Sequence, residues 1–217
     1  MKRAWVLLSF LAVTSCGGND AERETGSVLD RFSLLSSQQT RDLKQGMVCG
    51  DIALQGQRIG RVPGEIGGCG VNDAVRLRSV SGVTLSQRAV MDCTTAKALK
   101  TWVDQGLQPS FERLGRVARI KVAAHYVCRT RNHKAGAKIS EHGKGRAIDI
   151  SGVTLENGSQ FSILQDYGKG RGGRALRQAH KAACGTFGTT LGPGSDGYHE
   201  DHLHFDTARY RGGAYCR

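Results

Sequence analysis

The chain has 217 residues, 39% of them hydrophobic, and carries 31 Lys and Arg against 19 Asp and Glu, a formal charge of +12. That is enough for one domain of ordinary size with its own core, and it excludes bulk disorder. No period repeats along the chain and its 30 glycines follow no G-X-Y rhythm, which excludes solenoids and collagen.

The chain opens with Met1-Lys2-Arg3, an apolar run from Ala4 to Val13, and the small residues Thr14-Ser15-Cys16-Gly17-Gly18. A basic start, an apolar stretch too short to span a bilayer and small exit residues predict a secretory signal over residues 1–15. Val13-Thr14-Ser15-Cys16 resembles a bacterial lipobox, which implies cleavage before Cys16 and its lipidation; the alternative is an ordinary signal with an incidental cysteine. The expectation is an exported, periplasmic lipoprotein touching the membrane through its lipid anchor only. By analogy with enterobacterial sorting, Gly17 in place of Asp favours the outer membrane. Residues 16–45, polar and poor in aromatics, read as a tether with at most one short helix near Val28–Leu35. The folded domain takes residues 46–217.

Six cysteines remain beyond Cys16: Cys49, Cys69, Cys93, Cys128, Cys184 and Cys216. An even number in an exported chain predicts a disulfide framework, and the absence of C-x-x-C argues against zinc thiolates. The sequence does not choose among the possible pairings; sequential pairing, Cys49–Cys69, Cys93–Cys128 and Cys184–Cys216, is the expectation.

Ile52–Val62 and Val80–Leu85 alternate weakly, as short strands or a hairpin would. Ala98, Leu99, Trp102 and Val103 follow helical spacing after Thr94-Thr95, with Gly106 as the stop, and a second short helix fits Pro109 to Leu114. Arg116 to Cys128 is the clearest strand: Ala118, Ile120, Val122, Ala124, Tyr126 and Cys128 share one face and Arg119, Lys121 and His125 the other. Further strands are predicted over Ala147–Val153 and His202–Asp206, and a helix from Gly173 to Cys184. The run Gly168-Lys169-Gly170-Arg171-Gly172-Gly173-Arg174 lacks the order of a phosphate-binding loop and reads as a flexible basic loop. Without regular βαβ alternation, the fold class is α+β with an antiparallel sheet.

Four of the seven histidines fall in two segments, Ser140-Glu141-His142-Gly143-Lys144-Gly145-Arg146-Ala147-Ile148-Asp149 and His199-Glu200-Asp201-His202-Leu203-His204-Phe205-Asp206. Alternation places His202, His204 and Asp206 on one strand face and Leu203 and Phe205 on the other, while burial of Ile148 and Ile150 turns Asp149 outward. If the two strands are neighbours, His142, Asp149 and His204 converge with a fourth position left for water, the pattern of a catalytic rather than a structural zinc site.

The S-x-H-x-x-G-x-A-x-D run of Ser140, His142, Gly145, Ala147 and Asp149, followed by H-x-H, resembles the zinc peptidase superfamily of lysostaphin, D-Ala-D-Ala metallopeptidases and the sonic hedgehog signalling domain. Over about Cys49 to Arg217 the chain more closely resembles the bacterial extensin-like C-terminal domain family, through Gly67-Gly68-Cys69-Gly70, Tyr126-Val127-Cys128-Arg129, Ser140-Glu141-His142, Leu191-Gly192-Pro193-Gly194-Ser195-Asp196 and Tyr215-Cys216-Arg217. The His199-x-x-His202-x-His204 spacing is similar to penicillin-insensitive murein endopeptidases. These resemblances imply a small antiparallel sheet flanked by helices, Zn2+ as cofactor, and hydrolysis of peptide bonds in peptidoglycan, the peptide being the partner. Three prolines exclude the Ser-Pro repeats of plant wall extensins.

Within that reading His142, Asp149 and His204 hold zinc, and a base must take a proton from water while an acid serves the leaving amine. His202 is the first candidate and His199 the second, with Asp201 and Glu200 as further alternatives, since Asp201 stands where the dipeptidases carry a catalytic Glu. Arg129 matches an Arg that clamps a substrate carboxylate or the developing oxyanion, or is a surface arginine beside a disulfide. Ser140 reads as a donor orienting a ligand; Asp206 supports the site or is exposed. The basic surplus suits polyanions, but no nucleic-acid-binding pattern is present, and nucleic acid is not an expected partner. A peptidoglycan peptidase thus competes with a non-catalytic zinc-containing wall-binding module, and with a wall-associated protein using its basic surface alone.

Overall fold

The computed structural model describes residues 39–209 and 212–217. The expected signal, the lipidated Cys16 and the tether up to residue 38 lie outside the described residues. The chain divides into two compact units, Met1–Arg41 and Asp42–Arg217, and among the described residues all the strands belong to the second. No described helix is long and apolar enough to cross a membrane.

The elements run β1 (Met47–Val48), β2 (Asp51–Pro63), β3 (Gly70–Val80), β4 (Val83–Asp92), α1 (Cys93–Trp102), a π-helical turn (Val103–Leu107), α2 (Gln108–Phe111) and β5 (Val117–Ala124). After two 3₁₀ turns, Arg131–His133 and Glu141–Lys144, come β6 (Ala147–Leu155), β7 (Gln160–Ser162), α3 (Ile163–Asp166), α4 (Gly170–Ala182), β8 (Thr189–Leu191), β9 (Leu203–Asp206) and β10 (Tyr215–Cys216). One ten-stranded sheet follows the order β1-β2-β3-β4-β5-β6-β9-β8-β10, with β7 on β6. It is antiparallel except for β4–β5 and β8–β10. The fold is therefore mixed α and β, as expected, but the sheet is not small. Two hairpins enlarge it. Ser81 and Gly82, with φ of 49° and 80°, join β3 to β4 in a two-residue turn whose left-handed pair matches strand twist.

Each local departure from the expected elements has a visible cause. Strand β3 hides in the sequence because bulges shift its register against both neighbours, so Val75, Leu77 and Val80 reach the core without strict alternation. Helix α1 begins at Cys93, since Asp92 Oδ1 accepts from Thr95 N at 2.7 Å and caps it. Gly106 does not stop the helix. A side chain there would crowd Trp102 and Ala182, so the glycine permits α4 to pass closely while the backbone continues through the π turn. Strand β5 ends at Ala124 rather than Cys128; Tyr126 then reaches back to β4 and β2, donating from N to Val90 O and from Oη to Pro63 O.

All six cysteines beyond Cys16 are bridged, as Cys49–Cys93, Cys69–Cys128 and Cys184–Cys216. Only the last matches sequential pairing. Antiparallel register puts the start of β2 beside Val80 and its end beside Gly70, so Cys49 and Cys69 sit at opposite ends of one hairpin. The crossing of Tyr126 instead carries Cys128 to Cys69.

The helices pack on one sheet face. Trp102 Nε1 donates to Ala179 O at 2.7 Å, linking the α1 end to α4, and Phe205 of β9 lies between Trp102 and Phe187, at ring-centroid distances of 5.1 and 5.0 Å. Phe205 is fully buried, so Phe205→Ala should cost about 3–5 kcal/mol of unfolding free energy in chemical denaturation. Non-reducing proteolytic mapping should recover the three cross-linked peptide pairs observed, and no Cys49–Cys69 pair.

Candidate metal centre

Strands β6 and β9 are antiparallel neighbours, with Asp149 directly opposite His204 and Ile148 opposite Phe205. Leu203, Phe205, Ile148 and Ile150 are core residues, so alternation turns Asp149, His204 and Asp206 to the face away from the helices. His142 arrives from the 3₁₀ turn Glu141–Lys144. Two glycines shape that turn. Gly145, at φ 67°, closes it in the left-handed region with Val71 against its Cα; a side chain on Gly143 would meet Cys69 Sγ of the disulfide and Ile139.

The three groups meet. His142 Nε2 lies 3.2 Å from Asp149 Oδ1 and 3.1 Å from His204 Nδ1, and His204 Nδ1 lies 2.8 Å from Asp149 Oδ1. All are buried: relative exposure is 1% for His142 and 5% for Asp149, and the His204 side chain is 12% exposed.

The far ring nitrogens decide the tautomers. His142 Nδ1 is 2.8 Å from the His125 backbone oxygen, which can only accept, so Nδ1 carries the proton. His204 Nε2 likewise donates to Asp206 Oδ2 at 3.2 Å. In neutral rings, then, two lone pairs and a carboxylate oxygen face one another, and a positive charge is required among them. Either a proton or a metal ion supplies it. Burial alone would push the Asp149 carboxyl up, but the adjacent His142 and His204 imidazoles, in their protonated form, hold it far below the usual carboxylate range. Burial likewise opposes charge on His204, yet Asp149 and Asp206 raise it to about 9. Two imidazole nitrogens and a carboxylate oxygen, each imidazole held from behind, make a donor set suited to a divalent transition metal.

The centre forms the floor of a cavity of about 790 Å³. His202, just before β9, directs Nε2 to within 3.7 Å of Asp149 Oδ2 while its Nδ1 donates to Asp201 Oδ1 at 2.7 Å. Asp201 is otherwise exposed, so it orients His202 and stays clear of the three converging groups. His199 donates from Nδ1 to Asp196 Oδ1 at 2.6 Å, and its ring centroid lies 5.1 Å from that of His202 and 5.6 Å from that of His204. Burial lowers His199 against the opposing pull of Asp196. Arg129 and Ser140 both line the cavity. Arg129 spends one contact on its own loop, Nη1 donating to Thr130 O at 3.3 Å. The Ser140 backbone accepts from Gly143 N and donates to Arg129 O. Glu200 accepts from Gly194 N through Oε1 at 3.1 Å and is not among the residues that line the cavity.

Three supporting groups escaped the sequence reading or were left open by it. Asp206 is buried, not exposed, a position that its two-residue spacing from His204 allowed. Asp196 is three residues before His199, a legible turn spacing. The His125 carbonyl carries no side-chain signal at all.

Asp149→Ala should abolish metal uptake, measured by metal analysis after dialysis against a divalent salt, while circular dichroism stays that of the disulfide-bridged domain. Asp206→Asn should weaken uptake by about 10–100-fold. Gly145→Ala, which places a side chain against Val71 at positive φ, should cost roughly 1–2 kcal/mol of stability and lower metal affinity by shifting His142.

Comparison with curated proteins and with solved structures returns no match. The family model described as Extensin-like protein C-terminus matches residues 52–217, and the chain belongs to that extensin-like C-terminal family.

Proposed function

We propose that the domain is a zinc-dependent peptidoglycan peptidase, an endopeptidase acting on D-Ala-containing cross-links during wall remodelling. The observation that carries this reading is the convergence of His142 Nε2, His204 Nδ1 and Asp149 Oδ1 within about one hydrogen-bond length of one another on the floor of an open cavity. A structural zinc site is closed by four protein ligands; a three-ligand site facing a cleft leaves a position for reacting groups. Zinc held there would supply Lewis acidity, polarising a peptide carbonyl and acidifying water.

The chain's own residues supply the remaining roles. His202 Nε2 faces the centre with its other nitrogen fixed by Asp201, which suits it to accept a proton from water and return one to the leaving amine. His199, fixed by Asp196, stands beside it as the second group through which a proton moves. Arg129 lines the same cavity and is suited to bind a peptide carboxylate or the developing oxyanion. The competing reading, a zinc-holding module that binds wall peptide without turnover, needs the three metal-facing residues but neither the His202–Asp201 nor the His199–Asp196 pair.

Incubation of the purified protein with cross-linked muropeptides distinguishes the two. Chelator-sensitive loss of cross-linked dimers, restored by zinc, is expected; retention of dimers without cleavage at full zinc occupancy overturns the peptidase. His202→Ala should keep its metal and lose at least about a hundredfold in cleavage rate. Undiminished cleavage there would move the base to another residue.

A further inference from the structure

Another cavity among the described residues, about 700 Å³, shares no lining residue with the metal centre and is lined by α2, the residues that follow it and α4, with Ser110, Glu112, Arg113, Arg171, Arg174 and Gln178 contributing its polar groups. We propose that this groove is an anion site that takes a phosphate-bearing group.

The basic glycine-rich run is not the flexible loop expected from sequence. From Gly170 it is the first turn of the 13-residue α4. Gly172 and Gly173 are needed for packing, since a side chain would collide with the Phe161 ring at the first and with Asp166 O at the second. Their tight seating leaves Arg171 and Arg174 exposed on the outer surface. The groove side of α4 is thus presented by guanidiniums, not by a backbone cradle.

Those guanidiniums lack ion-pair partners among the described residues. Arg58, Arg116, Arg131 and Arg146 pair with Asp73, Glu156 and Glu141, but Arg113, Arg171 and Arg174 make no ion pair among the described residues. Helix α4 carries Arg171, Arg174, Arg177 and Lys181 and no acidic residue. Cations three apart repel, and cations in the first turn oppose the helix dipole. Among the described residues no carboxylate forms an ion pair with these cations, and Glu112 is the one carboxylate lining the groove. Three guanidiniums from two elements against one carboxylate leave a surplus matched to a dianion. Tetrahedral phosphate oxygens accept guanidinium pairs from several directions, where a single carboxylate accepts one.

The test titrates the folded protein with inorganic phosphate at constant ionic strength, following Arg side-chain resonances, with acetate as the comparison anion. Saturable phosphate binding is expected, weakened at least about tenfold in the Arg171→Gln/Arg174→Gln double variant and unchanged in Arg88→Gln, an exposed arginine of β4. Metal content and muropeptide cleavage should be unchanged in the double variant, which separates this site from the metal centre. Retention on phosphatidylglycerol vesicles but not on phosphatidylcholine vesicles, lost in the double variant, assigns the phosphate to a lipid headgroup. Phosphate binding without vesicle retention assigns it to a soluble or wall-borne ester. The proposal is overturned by acetate binding as tightly as phosphate, by undiminished phosphate binding in the double variant, by equal weakening in Arg88→Gln, or by the absence of saturation.

Discussion

The pairing register of β6 with β9 is the constraint on which the rest of the molecule depends. Strand side chains alternate, so the register that sends Ile148, Ile150, Leu203 and Phe205 into the core is the same one that sets Asp149 opposite His204 on the other face. A slip of one residue would bury a carboxylate and an imidazole among aromatic rings and expose Phe205. The hydrophobic energy of the core therefore enforces the geometry of the polar centre, and the centre needs no separate stabilising device in those two strands.

The third member needs one. His142 lies outside the sheet, on a short turn that would have little to fix it by itself. The turn is held from three sides: Gly143 packs on the Cys69–Cys128 bridge, Gly145 packs on Val71, and the imidazole is anchored to the His125 carbonyl. The bridge between the loop before β3 and the segment after β5 thus acts on the site as much as on stability. Burying a carboxylate beside two imidazoles is costly unless charge is balanced, and here each imidazole is committed by its far nitrogen to an acceptor. What remains at the meeting point is a set of acceptors that only a proton or a cation can satisfy.

Features with a local period were legible in the sequence. The two-residue alternation of Leu203, His204, Phe205 and Asp206 and of Ile148, Asp149 and Ile150 carried both faces correctly and set Asp149 and His204 on one side, while the approach of His142 rested on the motif that joins its turn to the Asp149 strand. Features set by tertiary approach were not. Bulges concealed β3, Gly106 looked like a helix stop when its role is to let α4 pass, and the glycines at 172 and 173 looked like loop residues when they seat a helix. Two disulfides were mispaired because sequence distance carries no information about which ends of an antiparallel hairpin face the crossing chain. Likewise a backbone carbonyl such as that of His125 leaves no trace in residue identity.

The residues around the centre fall into two groups that are encoded differently. Asp149, His204 and Asp206 are placed by the sheet, and His142 by a disulfide-backed turn, so their positions are consequences of the fold as a whole. His199 and His202 precede β9, and each is oriented by an aspartate within three residues of it. Their positions are set locally, by short-range hydrogen bonds at the rim of the cavity. Under the proposed peptidase reading, changes in this segment remove or retune proton handling without disturbing metal affinity or folding, whereas His142, Asp149 and His204 cannot change without cost to the buried charge balance. On that reading the domain would separate holding an ion from using it, and the His199–Asp196 and His202–Asp201 pairs are where a hydrolase and a binding module on the same scaffold would differ.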